Sequence, residues 1–224
     1  MRFVYAAGLC LILSGCELPA FDLGGKSGRN AITVTQDAIR VTGPDGYCID
    51  EDSLSMSVTE AFVVFGNCAA IAGNERASQP ATRAIATVSV TQQTDRSAAI
   101  ATGANELASF FDTEEGRQTL SRTGTASEVE TLSSAVEDGT VFLHVTDSGD
   151  GAAQGVSDTY WRSYFDVKTS VVSVSVLTFN SLPVDDADAL ELLRDFTRSI
   201  KGTSSATQTA APQTPVDLIR RLFN

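Results

Sequence analysis

The chain has one histidine, one tryptophan and four cysteines in 224 residues, and its basic residues number 16 against 28 acidic ones. Each scarcity removes a class of chemistry. With His144 the only histidine, a Ser-His-Asp arrangement has one possible base, and no Gly-x-Ser-x-Gly elbow presents a serine to it. The three lysines, Lys26, Lys168 and Lys201, have no serine three positions earlier, so the Ser-x-x-Lys pattern is absent. A zinc site needs several soft ligands, which one histidine and a few cysteines do not supply, and no metal or cofactor is expected. The net charge of −12 repels phosphate backbones, which argues against nucleic acid as a partner, and it repels anionic headgroups too. The longest apolar run, residues 3–13, is too short to span a bilayer as a helix.

That run follows a single basic residue, Arg2, and ends in Leu13-Ser14-Gly15-Cys16. A charged start, a short apolar stretch and small residues before a cysteine have the layout of a secretory signal. The segment closely resembles the bacterial lipoprotein signal. The resemblance implies that residues 1–15 are removed, that Cys16 becomes the lipidated N-terminus, and that the mature chain sits in the cell envelope with its domain in the periplasm. It also implies that membrane attachment comes from the acyl chains. Glu17 is not the aspartate that most often signals inner-membrane retention, so the outer membrane is favoured. Removing Arg2 with the signal leaves 28 acidic and 15 basic residues, a net charge of −13. An ordinary signal peptide with a spare thiol is the plainer reading of the same residues.

Cys10 leaves with the signal and Cys16 carries lipid, so Cys48 and Cys68 remain. Two cysteines in an exported domain usually pair. A metal pair would need further ligands nearby, and a redox couple typically reads Cys-x-x-Cys. A structural disulfide is therefore expected, worth about 3 kcal/mol on the loop-entropy model.

Residues 16–30 read as a lipidated tether, rich in glycine and polar residues; the 14 residues from 17 to 30 have a random-coil reach of roughly 20 Å. Gly25-Lys26-Ser27 echoes a phosphate-binding loop, but Ala20 stands where the first glycine belongs. A globular domain is expected over residues 31–201. Ile32 and Val34, then Ile39 and Val41, alternate as two short strands, and Gly43-Pro44-Asp45-Gly46 is turn chemistry. Asp50-Glu51-Asp52 lacks the spacing of a calcium loop and reads as a solvated turn. Residues 61–65 form a continuous apolar run, read as a buried strand that delivers Cys68 to Cys48, and residues 85–91 alternate. Residues 105–122 are helical, with Leu107, Phe110 and Phe111 on one face and a kink near Asp112, whose spacing to Glu115 is a capping pattern. Residues 123–138 are polar and helical in part at most.

The run from Val141 to Val145 is a strand, with His144 and Phe142 on the face opposite Val141, Leu143 and Val145. Residues 147–151 read as a mobile turn. Residues 160–165 and 171–179 make a hairpin, its second strand pairing a buried face of Val172, Val174 and Val176 with a wet face of Ser173 and Ser175. A helix follows over residues 186–201, with Leu190, Leu193, Phe196 and Ile200 along one stripe. Residues 202–214 are expected to be a disordered linker, and residues 215–224 a short amphipathic helix presenting Leu218, Ile219, Leu222 and Phe223.

Grouped strands and grouped helices imply an α+β fold, a mainly antiparallel sheet in a single domain with helices packed against it. This order of elements is similar to the PsbP-like fold over residues 31–201. The likeness is topological, rests on no motif and implies no activity. Three functional readings follow. The first is a non-catalytic, membrane-anchored envelope lipoprotein that binds an envelope protein partner or supports assembly, with Leu218, Ile219, Leu222 and Phe223 as its docking face. The second is a small-molecule or glycan binder using Tyr160, Trp161, Arg162 and Tyr164 as an aromatic platform, although the face carrying Trp161 and Phe165 also suits a core. The third is a hydrolase of unrecognised type.

Overall fold

Alternating apolar residues dictate most of the sheet. The computed structural model describes residues 28–93 and 99–206. A two-stranded hairpin, β1 (Ala31–Val34) and β2 (Ile39–Thr42), precedes an eight-stranded sheet. That sheet contains β3 (Tyr47–Ile49), β4 (Ser55–Met56), β5 (Glu60–Asn67), β6 (Ile85–Gln92), β7 (Val129–Glu137), β8 (Thr140–Asp147), β9 (Val156–Val167) and β10 (Ser170–Phe179). Its order is β3-β5-β6-β10-β9-β8-β7, with β4 also paired to β5, and every pairing is antiparallel. The architecture is α+β.

The sheet has different covers on its two faces. One face meets the β1–β2 hairpin and the long helix α4 (Asp186–Ala206), whose Ala189, Leu193, Phe196 and Ile200 join the sheet residues Val63, Phe65, Val88, Val172 and Val174 in the main core. Phe196 is fully buried and meets Tyr47 and Phe65 edge-on, with ring centroids 5.1 and 5.3 Å apart. The other face, along β7, β8 and β9, is covered by α2 (Ala104–Phe111) and α3 (Glu114–Leu120) over a second core of Phe111, Leu120, Val141, Leu143, Val145 and Tyr160. The kink between α2 and α3 falls where expected, but Thr113 rather than Asp112 makes the cap, its hydroxyl accepting from the Gly116 amide at 3.1 Å. Gly116 has to be glycine, since a Cβ there would lie 2.0 Å from the Phe110 carbonyl oxygen.

Cys48 on β3 and Cys68, at the start of α1 (Cys68–Ala72), are joined by a disulfide with their Cα atoms 4.7 Å apart. The bridge staples the first strand of the sheet to the end of β5, where Gly28 also packs against Cys48.

Several expectations need correction. The polar stretch 123–138 is not helical in its second half: residues 129–137 form β7, a sheet edge hydrogen-bonded only to β8. Most of β7 is exposed on both faces, so no apolar alternation marks it. The run 61–65 is not continuously buried, because Ala61, Val63 and Phe65 face the core while Phe62 is 40% exposed. Ser175, expected on a wet face, is buried and accepts a 2.8 Å hydrogen bond from Arg162 Nε. The turn at 147–151 is anchored at its start, where Asp147 and Gly149 are buried. Finally, α4 runs through Gly202 to Ala206, into the stretch expected to be a disordered linker. Thr203 donates back to the Ser199 carbonyl at 2.8 Å, and the Ser204 hydroxyl accepts from the Arg40 amide at 3.3 Å, which docks this last turn on β2. The rest of that linker, the segment 215–224 with Leu218, Ile219, Leu222 and Phe223, and residues 1–27 with Cys16 lie outside the described residues.

Candidate functional site

A single register row crosses the sheet through Ile49, Phe65, Ala86, Val176, Trp161 and His144. Its first four members are apolar core; its last two are the only tryptophan and the only histidine of the chain. Strand alternation puts both rings on the α4 side of the sheet, where directly opposed side chains on neighbouring strands lie close enough to touch. The rings stack with centroids 4.3 Å apart and planes 3° from parallel.

Beyond them the chain turns at Pro183 and enters α4, whose first residue, Asp186, brings its Oδ1 to 3.6 Å from His144 Nε2. The space enclosed is a cleft of about 220 Å³, walled also by Ser157, Thr159, Thr178 and Asn180. Two ring nitrogens beside it, closed off from solvent, are unusual. Trp161 Nε1 and His144 Nε2 are buried and have no hydrogen-bond partner. A buried polar group without a partner costs about 1–3 kcal/mol, so two side by side mark a place where structure alone does not explain the residues.

Burial holds the His144 imidazole below its ordinary pKa, with the Asp186 carboxylate opposing the shift. The ring is therefore neutral at pH 7. Its unfolded form takes up a proton near pH 6.5 and its folded form only at lower pH. This group's contribution to stability is thus complete above the ordinary value and declines as pH falls through it. Thermal melts between about pH 7.5 and 5 should show the wild type losing more stability than His144→Asn over the same interval. Parallel pH profiles for the two proteins would exclude a neutral, desolvated imidazole.

The aromatic platform expected from Tyr160, Trp161, Arg162 and Tyr164 does not exist as one surface. Period-two alternation along β9 sends Trp161 to the α4 face and the other three to the opposite face. There Arg162 lies 5.0 Å over the Tyr160 ring and donates to Tyr164 Oη at 3.4 Å. Tyr164 in turn stacks on Phe111 of α2 at 5.1 Å. Through that stack Tyr164 packs α2 against the sheet.

No family model and no curated protein matches this chain. Its chemistry is therefore read from the cleft alone. His144 Nε2 has no hydroxyl within hydrogen-bonding distance, so no nucleophile–base pair is made there. Among the described residues, no three of His, Cys, Asp and Glu gather as a metal site, and no helix is long and apolar enough to cross a membrane. What lines the cleft, around the stacked rings, is a set of polar side chains, Ser157, Thr159, Thr178, Asn180 and Asp186. Trp161 and His144 each stood out in the sequence; Asp186 did not, because only the fold brings the start of α4 to β8.

Proposed function

We propose that this protein is a lipid-anchored component of the bacterial cell envelope, held to the outer membrane through Cys16, and that its domain is a non-catalytic binding module. A small polar ligand, or the polar group of a larger one, enters the cleft at His144 and Trp161. The observation that carries this reading is the cleft of about 220 Å³ walled by the stacked His144 and Trp161 rings together with Ser157, Thr159, Thr178, Asn180 and Asp186.

The anchor rests on Leu13-Ser14-Gly15-Cys16 closing an apolar run. Cells fed a clickable fatty acid should label the wild type, while Cys16→Ala remains unlabelled and unprocessed or leaves the membrane fraction. Equal labelling of the two sinks the lipoprotein reading.

A second reading, assembly with an envelope protein through Leu218, Ile219, Leu222 and Phe223, is favoured by the path of the chain. The described residues begin beside the disulfide at one end of the sheet. They finish at the other, where Lys201 reaches Asp138 and Thr140 at the β7–β8 turn. A C-terminal docking segment would thus leave the domain from the end opposite its tether.

A further inference from the structure

The two faces of the sheet are unequally covered on β5 and β6. Toward α4 these strands present Val63, Phe65, Ala86 and Val88, all without exposed surface. On the opposite side no residue of β5 or β6 is buried, and none joins the core beneath α2 and α3. An antiparallel sheet can leave one face to water, and β6 carries Thr87, Ser89 and Thr91 there. β5 departs from that pattern. It shows Phe62, 40% exposed, and half-buried Val64. Gly66 continues the row and meets Ile71 of α1, and half-buried Ile85 on β6 pairs with Leu177 of β10. The apolar strip from Phe62 to Gly66 is about 13 Å long.

The path of the chain leads toward this strip. The last turn of α4 is docked on β2, where Thr203 and Ser204 meet Arg40. In the turn of that same hairpin, the Gln36 amide donates to the carbonyl of Val58, just before β5, at 2.9 Å. The helix therefore ends one hairpin turn away from the start of β5. The eight residues 207–214 reach about 15 Å as a coil and at most about 28 Å extended, enough to round the β4–β5 turn.

Segment 215–224 also fits the strip in size and chemistry. A helix of ten residues is about 15 Å long, and one this short is marginal in water without a surface to pack on. Residues 28–206 carry 25 acidic and 12 basic side chains, whereas residues 207–224 carry Asp217 against Arg220 and Arg221. The domain therefore attracts the segment. Glu60 heads β5 on the same face as Phe62, and its charge favours the N-terminal end of a helix arriving there.

We propose that residues 215–224 dock within their own chain on this open part of the sheet, with Leu218, Ile219, Leu222 and Phe223 covering Phe62, Val64 and Ile85. The strip, rather than an envelope protein, is then the surface that these four residues occupy.

Two measurements on the full chain test this together. In the first, Phe223 is replaced by the photo-crosslinker benzoylphenylalanine and cells making the protein are irradiated. The adduct should form within one chain, and peptide mapping should place it on residues 60–71 or 85–89. In the second, Phe62→Ser is introduced into the otherwise native chain and into one that already carries Leu222→Asp and Phe223→Asp. It should lower the melting temperature by about 3 °C more in the first than in the second, because only there does it remove a contact. An adduct on the strip together with this non-additivity supports the proposal. An adduct on a second copy, or on a different envelope protein, overturns docking within the chain, and the latter favours the assembly reading instead. No adduct, or one elsewhere on the domain, overturns it as well. An adduct on the strip with additive temperature losses shows proximity without docking, and the proposal fails.

Discussion

Phe196→Ala should lower the melting temperature by roughly 10 °C, the largest loss expected from a single core substitution here. The side chain is fully buried and lies edge-on to Tyr47 from β3 and Phe65 from β5. Removing a buried aromatic ring costs about 3–5 kcal/mol through lost transfer energy and the cavity left behind. Each edge-to-face pair adds about 0.5–1.5 kcal/mol. Collapse is a poor remedy, because Val63, Phe65 and Val174 sit on a sheet paired on both sides and cannot follow the missing ring. Phe196 also sets the seat of α4, and α4 carries Asp186 into the cleft. The same variant should therefore disturb the environment of Trp161 some distance from the mutation. Phe196→Leu should restore most of the stability. A thermal melt of Phe196→Ala within about 2 °C of wild type would falsify the claim that this ring docks the helix.

Where one face of an element is buried and the other wet, the sequence already shows the element. Ala86, Val88 and Val90 on β6, Val172, Val174 and Val176 on β10, and Leu193, Phe196 and Ile200 on α4 all occupy the core faces that their spacing implies. Illegibility has an equally physical origin. The edge strand β7 contains Leu132 and Val136, but both are exposed, so the alternation that betrays a strand never develops. Ser175 looks like a solvent position and is buried, because Arg162, its register partner on the neighbouring strand β9, supplies its hydrogen bond. Gly202 and the small polar residues after it look like a linker, yet Ser204 and Thr203 find partners on β2, and the helix continues. The cleft was half visible. Placing His144 opposite Val141, Leu143 and Val145 was enough to put it on the right face, but its contact with Trp161 depends on strand register, which the sequence pattern does not specify without the turn geometry.

Asp147→Asn should cost about 3 kcal/mol, the scale for breaking a buried ion pair by altering one partner. Asp147 ends β8 with its side chain wholly buried. It accepts from the Arg122 amide at 2.8 Å, from Arg122 Nε at 3.0 Å and from the Gly149 amide at 2.9 Å. Its own carbonyl accepts from Arg122 Nη2. One residue therefore ties the segment between α3 and β7 to the loop between β8 and β9. Burial alone would push the Asp147 carboxyl up, but two backbone N–H donors and the Arg122 guanidinium outweigh it and hold the group below its ordinary value. The unfolded chain then takes up a proton near pH 3.8 while the folded chain resists it. The stabilisation is complete above that pH and is lost as pH falls through the lower, folded-state value. The substitution should accordingly do most harm at neutral pH, and the gap between wild type and variant should close in strong acid. It should also loosen Gly149, whose amide donates to the Asp147 carboxylate. Urea melts at about pH 7 and about pH 3 check both statements at once. A gap that stays the same at the two values would mean that the carboxylate charge contributes nothing, and that Asp147 acts only as a neutral acceptor for the two loop amides.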